Sequence, residues 1–250
     1  MKKQLCKPLL TCLLLGAWML PAHAQTATGK GEFVGQAMEG DDSALKTLEK
    51  AAAQGDARAQ NSLGVLYDIG KGVPQDKRTA KAWYEKAAAQ GFAGAQFNLG
   101  VMYRNGEGGA QDYAQAHKWF EQAAEQGDAA AQFYLGLMYD NSEGVPQDYA
   151  QARNWYEKAA AQGFAMAQYN LGVLYAEGQG VQQDYAQVRH WWEKAAAQGV
   201  ALAPYNLGMM YAEGQGVQQD KRLAKQWFDK ACDAGLQLGC DVSRELEADS

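Results

Sequence analysis

Residues 56–91 read D-A-R-A-Q-N-S-L-G-V-L-Y-D-I-G-K-G-V-P-Q-D-K-R-T-A-K-A-W-Y-E-K-A-A-A-Q-G, and a shift of 36 residues lays this stretch onto its own continuation. Leu63-Gly64 returns as Leu99-Gly100, Leu135-Gly136, Leu171-Gly172 and Leu207-Gly208. Trp83 returns as Trp119, Trp155, Trp191 and Trp227, and Asp76 as Asp112, Asp148, Asp184 and Asp220. Five gapless copies, 56–91, 92–127, 128–163, 164–199 and 200–235, cover 180 of 250 residues. A fixed period of this length is the mark of a repeat array in which each unit touches mainly its neighbours.

Each copy splits into two helices. In the first copy, helix A starts near Ala57 and runs to Tyr67 or a little beyond. Gln60, Leu63, Gly64 and Tyr67 fall at i, i+3, i+4 and i+7, one stripe of a 3.6-residue helix. Gly64 sits mid-helix at a cost of about 1 kcal/mol relative to Ala. Its return in all five copies points to close approach of another helix backbone. Gly70-x-Gly72 ends helix A with positive φ. Asp76 is an N-cap for helix B, whose expected buried stripe is Ala80, Trp83, Tyr84 and Ala87. Gly91 ends helix B in the left-handed conformation, and the alanines before it let the next helix A pack closely.

Residues 31–55 read as an N-terminal capping helix pair with a turn at Gly40-Asp41-Asp42, after a flexible lead-in at 25–30. Residues 236–250 form a C-terminal cap and tail. Residues 1–24 differ from everything else. Lys2, Lys3 and Lys7 precede an apolar run from Leu9 to Leu20, and Ala22-His23-Ala24 is a small-x-small cleavage pattern. This is a secretory signal peptide, expected to be cut after Ala24, which places the mature protein in the periplasm or outside the cell. Losing Lys2, Lys3 and Lys7 with no acid leaves 20 basic against 29 acidic residues, a net charge of −9. That sign disfavours nucleic acid and anionic membrane as partners. No later segment is long and apolar enough to span a bilayer.

The pattern A-x-A-Q-x-x-L-G-x-x-Y-x-x-G-x-G-V-x-Q-D-x-x-x-A-x-x-W-[YF]-x-K-A-A-x-Q-G resembles the Sel1-like repeat family, a relative of the tetratricopeptide repeats. The match is nearly residue for residue over 56–235 and looser over 32–55. Departures are Asn141-Ser142, Gly109 in place of Val, and Pro204 in place of Gln. The resemblance implies an all-α fold, a right-handed superhelical solenoid of antiparallel helix pairs. It also implies a scaffold that binds a protein or peptide on a concave wall lined by helix A. No cofactor is implied, and a monomer is expected.

On that wall the residues left over from packing are Arg58, Asn61, Phe97, Arg104, Phe133, Asp140, Met166, Tyr169, Tyr205 and Met209. Phe97, Phe133, Tyr169 and Tyr205 form one aromatic column, while the charges at Arg58, Arg104 and Asp140 give way to Met166, Leu202 and Met209. Such a strip either docks a peptide or packs between neighbouring A helices. The docking reading expects Tyr169→Ala and Tyr205→Ala to lose the partner without unfolding. Cys232 and Cys240 remain after export and lie eight residues apart, in slots that face each other across a helix turn. A disulfide between them suits an oxidising compartment. The stretch 230–240 also resembles the disulfide-bearing turn of cysteine-rich secreted Sel1-repeat proteins, some of which bind penicillin or weakly hydrolyse β-lactams. A β-lactam or cell-wall role, or that of an inhibitor or immunity-type binder of a secreted partner, therefore stands beside the adaptor reading.

Catalytic and metal signals are thin, and none is assigned. Ser43-Ala44-Leu45-Lys46 fits S-x-x-K without its companion motifs. His117 and His190 occupy adjacent, variable helix B slots read as solvent-facing. No His or Cys pair shows zinc spacing. The loop carboxylates Glu107, Glu143, Glu177 and Glu213 lack the density of a calcium loop.

Overall fold

The computed structural model describes residues 30–248, and every regular element among them is an α-helix. The signal segment and its cleavage pattern lie outside the described residues. The described chain falls into two compact units, 30–146 and 147–248. The first holds α1 (Lys30–Met38), α2 (Asp42–Ala53), α3 (Ala57–Ile69), α4 (Lys77–Ala89), α5 (Ala93–Asn105), α6 (Tyr113–Glu125) and α7 (Ala129–Asn141). The second holds α8 (Tyr149–Ala161), α9 (Ala165–Glu177), α10 (Tyr185–Ala197), α11 (Leu202–Glu213), α12 (Lys221–Asp233) and α13 (Gln237–Ala248). Within each unit every helix packs on the next along the chain. The all-α repeat class read from the period is the class adopted.

Local chemistry sets the helix boundaries. Asp76, Asp112, Asp148, Asp184 and Asp220 each cap a B helix by accepting from backbone N–H groups of its first turn. Asp41 does the same for α2. The A helices end in left-handed residues at Gly70, Gly106, Gly178 and Gly214. Copy three ends on Ser142, which keeps the same conformation at φ 59° and donates its hydroxyl to the Val145 carbonyl.

The mid-helix glycine has a different partner from the one expected. A Cβ at Gly64 would lie 2.5 Å from Cδ1 of Tyr84, and its three nearest neighbours are all atoms of that ring, not backbone. Gly100 stands in the same relation to Phe120, Gly172 to Trp192 and Gly208 to Phe228. The notch therefore receives an aromatic ring from helix B of the same copy. Tyr84, Phe120, Trp192 and Phe228 are almost completely buried. Burying such a ring contributes about 1.5–3 kcal/mol, enough to outweigh the ~1 kcal/mol helix cost of the glycine.

The tryptophan beside this ring works across copies. Trp83 packs on the cluster that contains Leu48, Leu63 and Leu66, and Trp119 on the cluster of Tyr84, Leu99 and Met102. Trp227 likewise meets the cluster around Trp192 and Leu207. In W-[YF], then, the first residue joins neighbouring copies and the second closes its own pair. The expected buried stripe needs one change: Trp83 is half-buried, with Lys86 Nζ 3.9 Å from its ring centre. Tyr67 is half-buried as well.

A second inter-copy device is polar. The amide of Gln60 donates to the Ala52 carbonyl, eight residues earlier, at 3.0 Å. Gln96, Gln132 and Gln168 repeat this bond to Ala88, Ala124 and Ala160. Gln90, Gln126 and Gln198 donate in turn to the Oε1 atoms of Gln60, Gln96 and Gln168. Gln60, Gln96 and Gln168 thus each tie together the C-terminal ends of two successive B helices. Pro204 stands at this place in copy five and has no side-chain donor. Cys240 stands there in α13, with Cys232 eight residues earlier on α12 and the Cα atoms 4.7 Å apart. The cysteine pair is a candidate disulfide in the slot that a hydrogen bond fills elsewhere.

Candidate binding surface on the A helices

The aromatic column is drawn into the packing: Phe97 and Tyr169 each meet the residue 37 positions on in the next A helix, as Asn61 does beside them. Asn98 Nδ2 donates to Asn61 Oδ1 at 3.2 Å. The Phe97 ring lies 5.6 Å from that of Tyr134, edge to face, and 5.9 Å from that of Phe120. Asn206 Nδ2 donates to the Tyr169 hydroxyl at 3.1 Å, and the Tyr169 ring stacks on Trp192. Tyr169 has no exposed surface, and Phe133 and Tyr205 retain 8% and 9%. Tyr169, expected on the groove wall, is instead a packing residue whose removal would open the core. Tyr205 leans on Phe228 with ring centres 5.5 Å apart, so its alanine variant would likewise disturb packing first.

The charges of this wall are committed too. Arg104 makes a two-pronged ion pair with Glu143 of the next copy, at 2.7 and 2.9 Å, and lies over the Tyr134 ring. Lys77 bridges Asp68 of its own copy and Glu107 of the next. Burial works against the Lys77 charge, yet its hydrogen bonds to Asp68 and Glu107 prevail and raise its pKa above the ordinary lysine value. Glu107 is subject to the same contest. Burial pushes it up, but Lys77 and Asn105 hold it below the usual carboxylate range. Arg104 is raised despite burial, through Glu143. Glu107 and Glu143, read in sequence as isolated loop acids, are therefore inter-copy anchors. Their signal was the pairing of opposite charges in successive copies: Arg104 with Glu143, 39 residues on, and Lys77 with Glu107, 30 residues on.

His117 is also better placed than its variable slot suggested. It is half-buried against Tyr139, with Nε2 3.3 Å from the phenol oxygen and the rings edge to face. His190 is exposed, as its slot implied, with its ring edge against Trp191. Among the described residues no three His, Cys, Asp or Glu side chains are placed to hold a metal, and no helix is long and apolar enough to cross a membrane.

What remains accessible on the A helices differs between the units. In the first, Arg58 is exposed, and Asn61, Val65, Phe97, Val101, Arg104 and Asp140 are half-buried, so charged and polar groups stand among the apolar ones. In the second, the half-buried residues are Met166 and Val173 on α9 and Leu202 and Met209 on α11. They carry no charge and lie beside the buried column of Tyr169 and Tyr205.

The Sel1 repeat family model matches residues 22–56, 57–92, 93–128, 129–164, 165–200 and 201–236. The chain belongs to the Sel1 repeat family. The model counts 22–56 as a sixth repeat, overlapping the stretch read from sequence as a capping helix pair. This Sel1 repeat chain is 32% identical to a Sel1 repeat protein from Oxalobacter formigenes, over 87% of each chain, with a TM-score of 0.78. It is also 32% identical to c5321, a protective antigen of uropathogenic Escherichia coli with the same fold. That match covers 90% of this chain and 57% of the antigen, with a TM-score of 0.56. An immunity protein from Pseudomonas aeruginosa, Pa5087, shares the fold at 20% identity over 83% of each chain, with a TM-score of 0.52. No curated protein matches. Sel1 repeats are scaffolds for protein–protein contacts, and that coarse role applies here.

Proposed function

We propose that this Sel1 repeat chain is an exported adaptor that holds a protein or peptide partner against its A helices. The observation that supports this is the chemistry of the second unit, where Met166, Val173, Leu202 and Met209 stay only half-buried and uncharged beside neighbours that are closed off. Methionine and leucine side chains adapt to varied apolar partners, and a desolvated apolar centre is what carries most binding energy. Export follows from the N-terminal pattern ending at Ala24, and the cysteine pair at 232 and 240 suits an oxidising compartment. N-terminal sequencing of the mature protein tests the first point: a chain beginning at Gln25 supports it, and a retained Met1 overturns it.

The binding reading is tested by affinity capture from native envelope, with wild type and a Met166→Glu, Leu202→Glu, Met209→Glu variant compared. A partner retained by wild type and lost by the folded variant supports the reading. Equal capture by both removes the A-helix face from the account.

A further inference from the structure

A second surface lies away from the A-helix patch and follows from one column of basic side chains. Position 81 and its equivalents place a basic side chain on every B helix: Lys81, His117, Arg153, Arg189 and Lys225. Four of these are engaged within the fold. Lys81 Nζ sits 3.8 Å from the centre of the Tyr103 ring. His117 meets the Tyr139 phenol. Arg153 pairs with Glu157 at 3.5 Å, and Lys225 with Asp229 at 3.2 Å. Arg189 is exposed, and among the described residues its side chain makes neither a hydrogen bond nor an ion pair. Its helical neighbour Glu193 stands where Glu157 pairs with Arg153, yet makes no such pair.

Arg189 lines an open groove of about 420 Å³ between α10 and the loop before α12. Tyr211, Val217, Gln218, Asp220 and Leu223 line it too, with Gly216 and Gln219 between them. Gln218 is likewise without a hydrogen-bond partner among the described residues. The groove thus presents a guanidinium, a side-chain amide and a phenol beside the apolar surface of Val217 and Leu223. Its volume is within the range of small-ligand sites.

We propose that this groove binds a peptide carboxylate, with Arg189 as the charged donor and Val217 and Leu223 contacting an adjoining apolar side chain. A guanidinium fork matches a carboxylate in shape and charge. One cation suits a singly charged anion, and the Asp220 carboxylate in the lining disfavours a phosphate dianion. The carboxylate could be a chain terminus or an acidic side chain. The proposal is independent of the A-helix reading, since α9 and the accessible faces of α11 named above take no part in it.

The test is a ¹⁵N NMR titration of the intact mature protein with three short probes: acetyl-Ala-Leu-Leu with a free carboxylate, its C-terminal amide, and acetyl-Ala-Glu-Leu-amide. The free acid, the glutamate peptide or both should shift the backbone amides of 216–220 and the Arg189 side-chain Nε. The arm that binds identifies the source of the carboxylate. Arg189→Gln, at an exposed site, should keep the native spectrum and weaken binding about tenfold or more. Equal shifts with the uncharged amide, no loss on Arg189→Gln, or no shifts up to about 10 mM probe would each overturn the proposal.

Discussion

The side-chain amide of Asn206 donates to the phenol oxygen of Tyr169 across 3.1 Å, with both residues closed to solvent. The bond joins α11 to α9 and occupies a face that sequence alone would offer to a partner. Asn206 Oδ1 already lacks a partner there. Tyr169→Phe would leave the whole amide unbonded and should cost about 1–3 kcal/mol, the penalty for an orphaned buried polar group. Urea unfolding followed by circular dichroism checks this. An unchanged midpoint would return Tyr169 to the surface.

The ring-in-notch contact makes a prediction of sign. By helix propensity alone, Gly100→Ala should stabilise α5 by about 1 kcal/mol. The Phe120 ring, 2.5 Å from the added Cβ, should reverse that into a loss of about 1–3 kcal/mol from overpacking. Gly100→Ala combined with Phe120→Leu should be less unstable than the two losses added together, and this coupling is measured by a double-mutant cycle.

The two loop glycines separate in the same way. Ser142 accepts a left-handed backbone where other copies use glycine, so Ser142→Gly should stabilise by about 0.5–1 kcal/mol. Gly144→Ser should destabilise by more, because a Cβ there would lie 2.5 Å from Tyr113 Cβ. Thermal melts of both variants, with opposite shifts expected, decide the point.

The Lys77–Glu107 pair sets a pH dependence. Glu107 is held below its ordinary value, so its contribution is present above the unfolded pKa and is lost as the pH falls through the folded one. Lys77 is raised, so its contribution is present below the unfolded lysine pKa and is lost only as the pH climbs through the folded value. Both side chains are about one-third exposed, which limits the pair to about 0.5 kcal/mol. Glu107→Gln should flatten the acid limb of the stability curve and leave the neutral-to-basic limb in place.

Much of this was legible in the period. The Asp caps, the glycine stops and the helix pairing follow from residue types whose local preference agrees with the fold. The mid-helix glycine signalled a close approach, but not its partner. Spacing along one helix carries no information on which ring from the next one fills the notch. The aromatic column stayed open between docking and packing for a related reason. A 36-residue comparison aligns Phe97, Phe133, Tyr169 and Tyr205 with one another, whereas their covering partners, such as Tyr134 and Asn206, lie 37 residues on. The accessible patch at Met166, Leu202 and Met209 was visible in the sequence only as a trend toward apolar residues.

The most direct measurement is in vivo photo-crosslinking with a benzophenone side chain placed singly along α9 and α11. Adducts to a common partner at Met166, Val173, Leu202 or Met209, with none at Tyr169 in folded protein, are the expected result. Adducts centred on Tyr169, or confined to the B helices, would contradict the division between a packed aromatic column and an adjoining binding face.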